Sequence, residues 1–255
     1  EISACLVGSE MCIRDRFTRG AAGTTSAADG DANGAAAQDA ARQAQAANEL
    51  LAEASTRLVA GALDGVPVTI IRTADSADED AAAVRWLANA AGATKAGSLT
   101  LTEKFFDQNS ADQLSSIIAN TLPAGAQLSV ENRSPGTHAG QSLAAALAQD
   151  PATGDGYASA ADRDLVLDAL AAAGFVKVDG PVEPAGAIIV VAGEAAEGFA
   201  GQALQDFAAA LRERADAVLA TRGQAPDANA VGEVDAEAGR IRAVLSAGEQ
   251  HAARG

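Results

Sequence analysis

The chain has 255 residues, of which 48% are hydrophobic, enough for one substantial core with or without an extended arm. Only 3% of the residues are aromatic, so the core must be built from alanine, valine, leucine and isoleucine. The formal net charge of −16 repels phosphate backbones and anionic lipid, which argues against nucleic-acid binding.

The opening stretch "SACLVGSEMCIRDRF" holds Cys5 and Cys12, the only cysteines, and Met11, the only methionine. A Cys-x6-Cys pair is compatible with a metal or disulfide site, but a single pair at this spacing has weak specificity. Written back into codons, "LVGSEMCIRD" resembles a transposase adapter used in sequencing libraries, and it departs from the GC-rich codon habit of the chain that follows. We therefore predict that residues 1–16 are adapter-derived, and we expect the natural protein to continue upstream of Phe17.

Residues 17–34 are rich in glycine, alanine, serine and aspartate without periodicity, which predicts a flexible segment. Residues 35–63 have a helical composition and predict a coiled-coil-like arm. The seam of this arm has 3-4-3-4 spacing and consists of Ala44, Ala47, Leu51, Ala54 and Leu58. A mostly alanine seam leaves open whether the arm pairs with a second copy of the chain or with a partner helix.

Over residues 64–222, apolar β-branched segments alternate with helical patterns. This alternation predicts a layered α/β domain with a mainly parallel sheet. Strands are predicted at 66–73, 97–105, 126–131, 175–178, 187–193 and 215–221, and loops at 132–141 and 150–159. Beyond this domain the pattern weakens, and residues 223–255 are predicted to form a weakly ordered tail with a short helix.

Serine residues mark the starts of several predicted helices. Ser76 with Glu79, and Ser110 with Gln113, have capping-box spacing ahead of an apolar helical stripe. Further helices are predicted through Leu143 and Leu147, from Ser159 to Ala173, and at 200–211. Trp86 lies off the apolar stripe of its helix, which favours a role in domain packing over a ligand platform.

The chain lacks the motifs of common enzyme classes. The segment "VVAGEAAEGFAG" follows a strand but has no G-x-G-x-x-G pattern, and Glu194 and Glu197 would repel phosphate there. We therefore predict an ordinary strand-to-helix turn. No G-x-S-x-G elbow occurs either, so we predict no enzyme, no catalytic or cofactor-binding residue and no cofactor.

The remaining titratable residues also favour structural roles. His138 is predicted to be a solvated loop histidine rather than a base, and His251 lies in the tail, far from it in the sequence. The carboxylates of 75–80 and 162–164 are predicted to lie in first helical turns, where negative charge complements the helix N-terminus.

Five segments occur in a characteristic order: "VPVTIIRTADSADED", "AGATKAGSLTLTEKFFD", "NTLPAGAQLS", "ADRDLVLDALAAAGFV" and "VDAEAGRIRAVL". Together they resemble the copper transporter MctB family, envelope proteins of mycobacterial-type cells that are also described as outer-membrane copper transport proteins. The resemblance covers most of residues 35–248. It implies an N-terminal membrane helix, a coiled-coil stretch and an extracytoplasmic domain, with a role in keeping intracellular copper low. It assigns no ligand residues.

The donor atoms of the chain limit what it does with copper. From Phe17 onward there is no cysteine, no methionine and only two histidines, whereas copper(I) selects thiolate and thioether ligands. No tight copper(I) site is therefore expected, copper contact is at most transient, and the metal-binding residues stay unknown. A weak carboxylate site for divalent cations remains open.

Our leading hypothesis is a non-enzymatic, membrane-anchored envelope protein of copper efflux and homeostasis, whose membrane helix is expected where the adapter-like stretch stands. A channel needs a membrane-spanning surface, so we favour an indirect copper role for the α/β domain. Two alternatives stay open: an envelope scaffold acting through the arm at 35–63, and a small-molecule-binding or enzymatic α/β domain using the carboxyl edge of its sheet.

Overall fold

The computed structural model describes residues 26–194 and 197–254, with side chains from residue 36 onward. The predicted adapter-derived residues 1–16 lie outside these ranges. The chain divides into two compact units, residues 1–45 and residues 46–255. Within the described ranges no helix is both long and apolar enough to cross a membrane.

The first helix, α1, spans Ser26–Val59, so residues 26–34, predicted to be flexible, are helical. Alanine has the highest helix propensity, and no proline interrupts this stretch. In the second unit Ser55 and Val59 are buried and Leu51 packs against the core. Leu58 of the predicted seam is instead 50% exposed, so the buried face is offset from that seam.

In the described part of the chain, six strands form a single sheet. They are β1 Pro67–Thr73, β2 Thr94–Leu101, β3 Val176–Val178, β4 Ala187–Glu194, β5 Asp216–Arg222 and β6 Ala230–Val231. Their order is β3-β2-β1-β4-β5-β6, and all neighbours are parallel except β3, which runs antiparallel to β2. The predicted α/β fold with a mainly parallel sheet is confirmed.

Six further α-helices of the described residues cover this sheet. They are α2 Asp78–Ala90, α3 Ala111–Thr121, α4 Pro135–Leu147, α5 Ala160–Ala172, α6 Gly198–Arg214 and α7 Glu237–Arg254. Helices α3 to α6 pack on one face, and α1, α2 and α7 pack on the other. Two single-turn 3-10 helices, Glu103–Phe106 and Gln108–Ser110, follow β2.

The segment between α3 and α4 differs from the prediction. The strand expected at 126–131 does not form, and the amide of Ser129 donates to Gln141 Oε1 at 2.8 Å rather than to a neighbouring strand. Helix α4 begins inside the predicted loop 132–141, with Ser134 as its N-cap. Proline at the next position suits the first turn of a helix, because the N–H that it lacks would have no partner there.

The two predicted capping boxes do not form. Ser76 Oγ donates to the carbonyl of Thr73 at 2.7 Å, and the N-cap of α2 is Ala77. Ser110 is the N-cap of α3, but its hydroxyl faces the carboxylate of Asp107 at 3.5 Å and caps no amide. Local acceptors in the preceding turn thus compete successfully with the helix amides for these hydroxyl groups.

The C-terminal residues build part of the core, whereas the sequence predicts a weakly ordered tail with a short helix. Helix α7 has 18 residues and buries Ile241, Val244 and Ala247. Asn48 Oδ1 of α1 accepts the amide of Glu237 at 2.7 Å, which satisfies a free donor at the start of α7. Burial against the sheet stabilises this helix, and its alanine-rich sequence does not reveal that burial.

A buried carboxylate ties three elements together on the same face. Asp80, in the first turn of α2, is 1% exposed. Its oxygens accept from Arg222 Nε, at the end of β5, at 2.6 Å and from an Nη atom of Arg240, on α7, at 3.1 Å. The hydrogen bond to Asp80 raises the pKa of Arg222. This arrangement is called the Asp80 clamp below.

Removing the clamp is expected to destabilise the fold strongly. Asp80→Ala removes the buried carboxylate that Arg222 and Arg240 share and leaves them only longer contacts with Glu79 and Glu237, and the expected loss in the free energy of unfolding is about 3 kcal/mol. Asp78→Ala is the matched control, since Asp78 lies in the same helical turn and pairs with Arg72 but is exposed; it should cost under about 1 kcal/mol. Urea unfolding of both variants measures the difference, and equal losses would contradict the clamp.

Candidate functional site

The order of the strands reverses beside β1, which has β2 on one side and β4 on the other. The helices that follow β1 and β4, α2 and α6, pack on opposite faces of the sheet. A crevice therefore opens beyond the carboxyl ends of these two strands, at the place where α/β sheets generally bind ligands. This is the location expected for a small-molecule site in the α/β domain.

A cleft of about 420 Å³ occupies this crevice, and we call it the edge cleft. Its apolar wall is formed by Phe106, Phe199 and Leu204. The polar residues at its margin are Asp75, Thr102, Glu103, Asp107 and Gln108. A mainly apolar surface with a few polar groups is typical of sites for small organic ligands.

Aromatic packing positions the apolar wall. The ring of Phe106 lies edge-on to those of Phe105 and Phe207, with centroids 5.0 and 5.9 Å apart. Phe105 and Phe207 are buried in the core, so Phe106 is held by two fixed neighbours while one side of it faces the cleft. Beside it, Asp107 Oδ1 accepts the amide of Asn109 at 3.1 Å, which orients that carboxylate.

Asp75 reaches the edge cleft because the residue that it packs against, on another strand, is a glycine. The sequence interpretation puts Asp75 in a first helical turn, but it lies in the turn between β1 and α2. A Cβ atom at Gly193, near the end of β4, would lie 2.5 Å from Asp75 Oδ2, so a larger residue there would displace the carboxylate. The signal in the sequence that could have found Asp75 is a carboxylate two residues after the end of a buried strand.

The side chains of the edge cleft suit an organic ligand better than a metal ion. Its margin carries the carboxylates of Asp75, Glu103 and Asp107, which favour a ligand with a cationic or hydrogen-bond-donating group. In the part of the chain that the structure describes, no three His, Cys, Asp or Glu side chains converge to hold a metal ion. Carboxylates are also poor ligands for copper(I).

Both histidines have protein partners, and the prediction that His138 is a solvated loop residue is wrong. His138 lies in α4, and its Nε2 is 2.9 Å from the carbonyl oxygen of Ser129. His251 lies in α7, where its Nδ1 is 3.1 Å from Asp216 Oδ2 and 3.3 Å from the carbonyl oxygen of Gly186. Neither histidine lines the edge cleft.

Asp216, the first residue of β5, holds the C-terminal end of α7. It is buried, and Arg254 Nε lies 2.8 Å from its Oδ1. Burial raises the pKa of Asp216, and the hydrogen bond from His251 and the charge of Arg254 only partly offset that effect. This cluster joins two elements at the amino end of β5, away from the carboxyl edge that forms the cleft, and its geometry is that of a structural contact.

The remaining candidate residues that the structure describes lie outside the edge cleft. Trp86 is 56% exposed on α2 and does not pack into the domain. Asp162 lies in the first turn of α5, as expected. Glu194 ends β4 and Glu197 precedes α6, while the two residues between them lie outside the described ranges. Cys5, Met11 and Cys12 also lie outside those ranges, so their predicted character is not tested.

Comparisons with known proteins agree with the resemblance. A family model described as "Copper transport outer membrane protein, MctB" matches residues 6–254. Proteins named copper transporter MctB from Mycobacterium bovis and Mycobacterium tuberculosis are each 34% identical over 225 residues, covering 79% of this chain and 72% of theirs. The protein of that name from Mycobacterium leprae is 33% identical over 221 residues, covering 74% of this chain and 68% of its own.

Proposed function

Because the chain belongs to the MctB family of copper transport outer membrane proteins, we propose that it acts in copper efflux and homeostasis at the cell envelope. The observation that carries this proposal is the family match across residues 6–254. The relatives are named as transporters, which supports a protein that is not an enzyme. The family description supports a place at the outer membrane.

We propose further that the α/β domain handles copper indirectly. Its two histidines already contact protein acceptors, and no cysteine or methionine follows residue 12. Copper(I) bound by carboxylates and carbonyls alone exchanges readily, because these hard donors do not suit a soft ion. The domain therefore supports transport as an envelope module, and copper is a cargo that it does not hold tightly.

Copper binding by the purified chain tests this indirect role. The variant Cys5→Ser, Met11→Leu, Cys12→Ser removes every thiol and thioether group. After loading with copper(I) and competition with a chelator, we expect no stoichiometric copper by elemental analysis. The unsubstituted chain is the control, since any retained copper there should depend on those three residues. A chelator-resistant ion in the variant would overturn the indirect role.

Deletion of the intact gene tests the copper role itself. We expect cellular copper content to rise severalfold and copper tolerance to fall, with both restored by the reintroduced gene. Unchanged copper content and tolerance would reject the copper role.

The same assay tests the edge cleft. A reintroduced gene carries Ala200→Trp, whose side chain fills the cleft, and the control gene carries Ala161→Trp, on an exposed face of α5. Loss of complementation by Ala200→Trp alone would favour the small-molecule alternative.

Exposed leucines favour the scaffold alternative as a second candidate. Leu50 is 68% exposed and Leu58 is 50% exposed, and their spacing puts them on one side of α1 with Ala54 between them. Apolar side chains arranged in this way suit pairing with a helix of a second copy or of a partner. We propose this stripe as the contact of the arm.

Sedimentation of charged variants tests that contact. If the chain self-associates, Leu50→Glu with Leu58→Glu should shift it to the monomer, because two carboxylates would be buried in the interface. Leu165→Glu is the control, since Leu165 is 54% exposed on α5. A chain that is monomeric with and without these substitutions would rule out pairing with a second copy.

A further inference from the structure

A second groove lies on the α2 side of the same sheet edge. It has a volume of about 390 Å³ and is lined by Arg72, Lys104, Lys177, Thr100, Thr102 and Glu103, and we call it the basic groove. It contains two of the three lysines in a chain whose net charge is −16. Such a local excess of cations in an acidic protein calls for a physical explanation.

Strand register puts two of the cations in one row. Arg72 of β1 is paired with Thr100 of β2, and Thr100 is paired with Lys177 of β3. Directly paired residues project from the same face of a sheet, and neighbouring strands are about 4.8 Å apart. The arginine and the lysine therefore flank the threonine hydroxyl, and their long side chains can reach one ligand above it.

Lys104 supplies the third cation from the chain that leaves β2. Its Nζ donates to the carbonyl of Ala173 at 2.9 Å and lies 4.4 Å from the centre of the Phe175 ring. These contacts hold the ammonium group at the groove, and the bond to Ala173 uses only one of its three N–H donors. The other two donors have no acceptor among the residues that the structure describes, so they can face a ligand.

The charges of the groove are only partly neutralised. Arg72 pairs with Asp78, whose side chain is 82% exposed, and Arg72 Nε is buried without an acceptor among the described residues. Glu103 lines the groove and is exposed. Lys177 makes no ion pair within the described part of the chain. Three cations thus meet two solvated carboxylates, whereas the Asp80 clamp and Asp216 neutralise arginines with buried carboxylates.

We propose that the basic groove binds the phosphate group of a small ligand. A tetrahedral dianion can accept from an arginine fork and two ammonium groups that approach from different directions, with threonine hydroxyls completing its hydrogen bonds. The ligand is either a soluble phosphate compound or the headgroup of an anionic phospholipid. This site is independent of copper and goes beyond the proposed transport function.

Titration calorimetry of the full chain with inorganic phosphate and pyrophosphate, at fixed low ionic strength, tests the site. We expect saturable binding that weakens with added salt and that Lys177→Gln weakens about three- to fivefold. Lys95→Gln is the matched control: it removes the same charge from an exposed position on the same sheet, outside the basic groove, and should leave the affinity unchanged.

Cosedimentation with vesicles distinguishes the two sources of phosphate. Binding to phosphatidylglycerol vesicles but not to phosphatidylcholine vesicles, with loss in Lys177→Gln alone, would support a lipid headgroup. Binding of the soluble phosphates but not of the vesicles, weakened by Lys177→Gln, would support a soluble ligand. Absence of binding to both kinds of probe, or equal loss in Lys177→Gln and Lys95→Gln, would overturn the proposal.

Discussion

The buried carboxylate of Asp80 holds together three elements that are far apart in the chain. Arg222 lies 142 residues away and Arg240 lies 160 residues away, yet both donate to the same side chain. Because the carboxylate has lost nearly all its water, the two arginines must stay in place to compensate for its desolvation. The clamp thereby holds the start of α2 against the end of β5 and α7, and it sets where α2 lies on the sheet.

The position of α2 decides which surfaces remain open. Helix α2 packs on β1 and leaves Thr100 of β2 and Lys177 of β3 open on that face, where the basic groove forms. On the other face α4 and α6 pack closely, since a Cβ atom at Gly140 would lie 2.5 Å from the carbonyl oxygen of Phe207. That close packing buries Phe207 beside Phe106 and supports the wall of the edge cleft. The two grooves share Thr102 and Glu103 as a common border.

The distribution of donor atoms connects this architecture with a copper role. The domain offers carboxylates, amides and hydroxyls, and its histidines are engaged within the fold. Hard oxygen donors, and imidazoles that already contact protein acceptors, are poor ligands for copper(I), which supports the indirect copper role proposed above. The open surfaces of the domain are better suited to organic or phosphorylated ligands than to metal ions.

The α/β class and most strands were predictable from the sequence, because a buried parallel strand such as β4 needs a run of β-branched apolar residues. The set of side-chain atoms that could bind copper was equally predictable, since it depends only on the amino-acid composition. Three features were not predictable from the sequence: the Asp80 clamp, the burial of α7, and the row of Arg72, Thr100 and Lys177. Each depends on partners from distant segments, and local patterns cannot show which carboxylate loses its water or which cations meet across strands. The capping boxes failed for a related reason: nearer acceptors in the folded turns took the serine hydroxyls. Local periodicity thus determined the elements of this protein, while long-range burial and pairing of charges decided its clamp, its cleft and its groove.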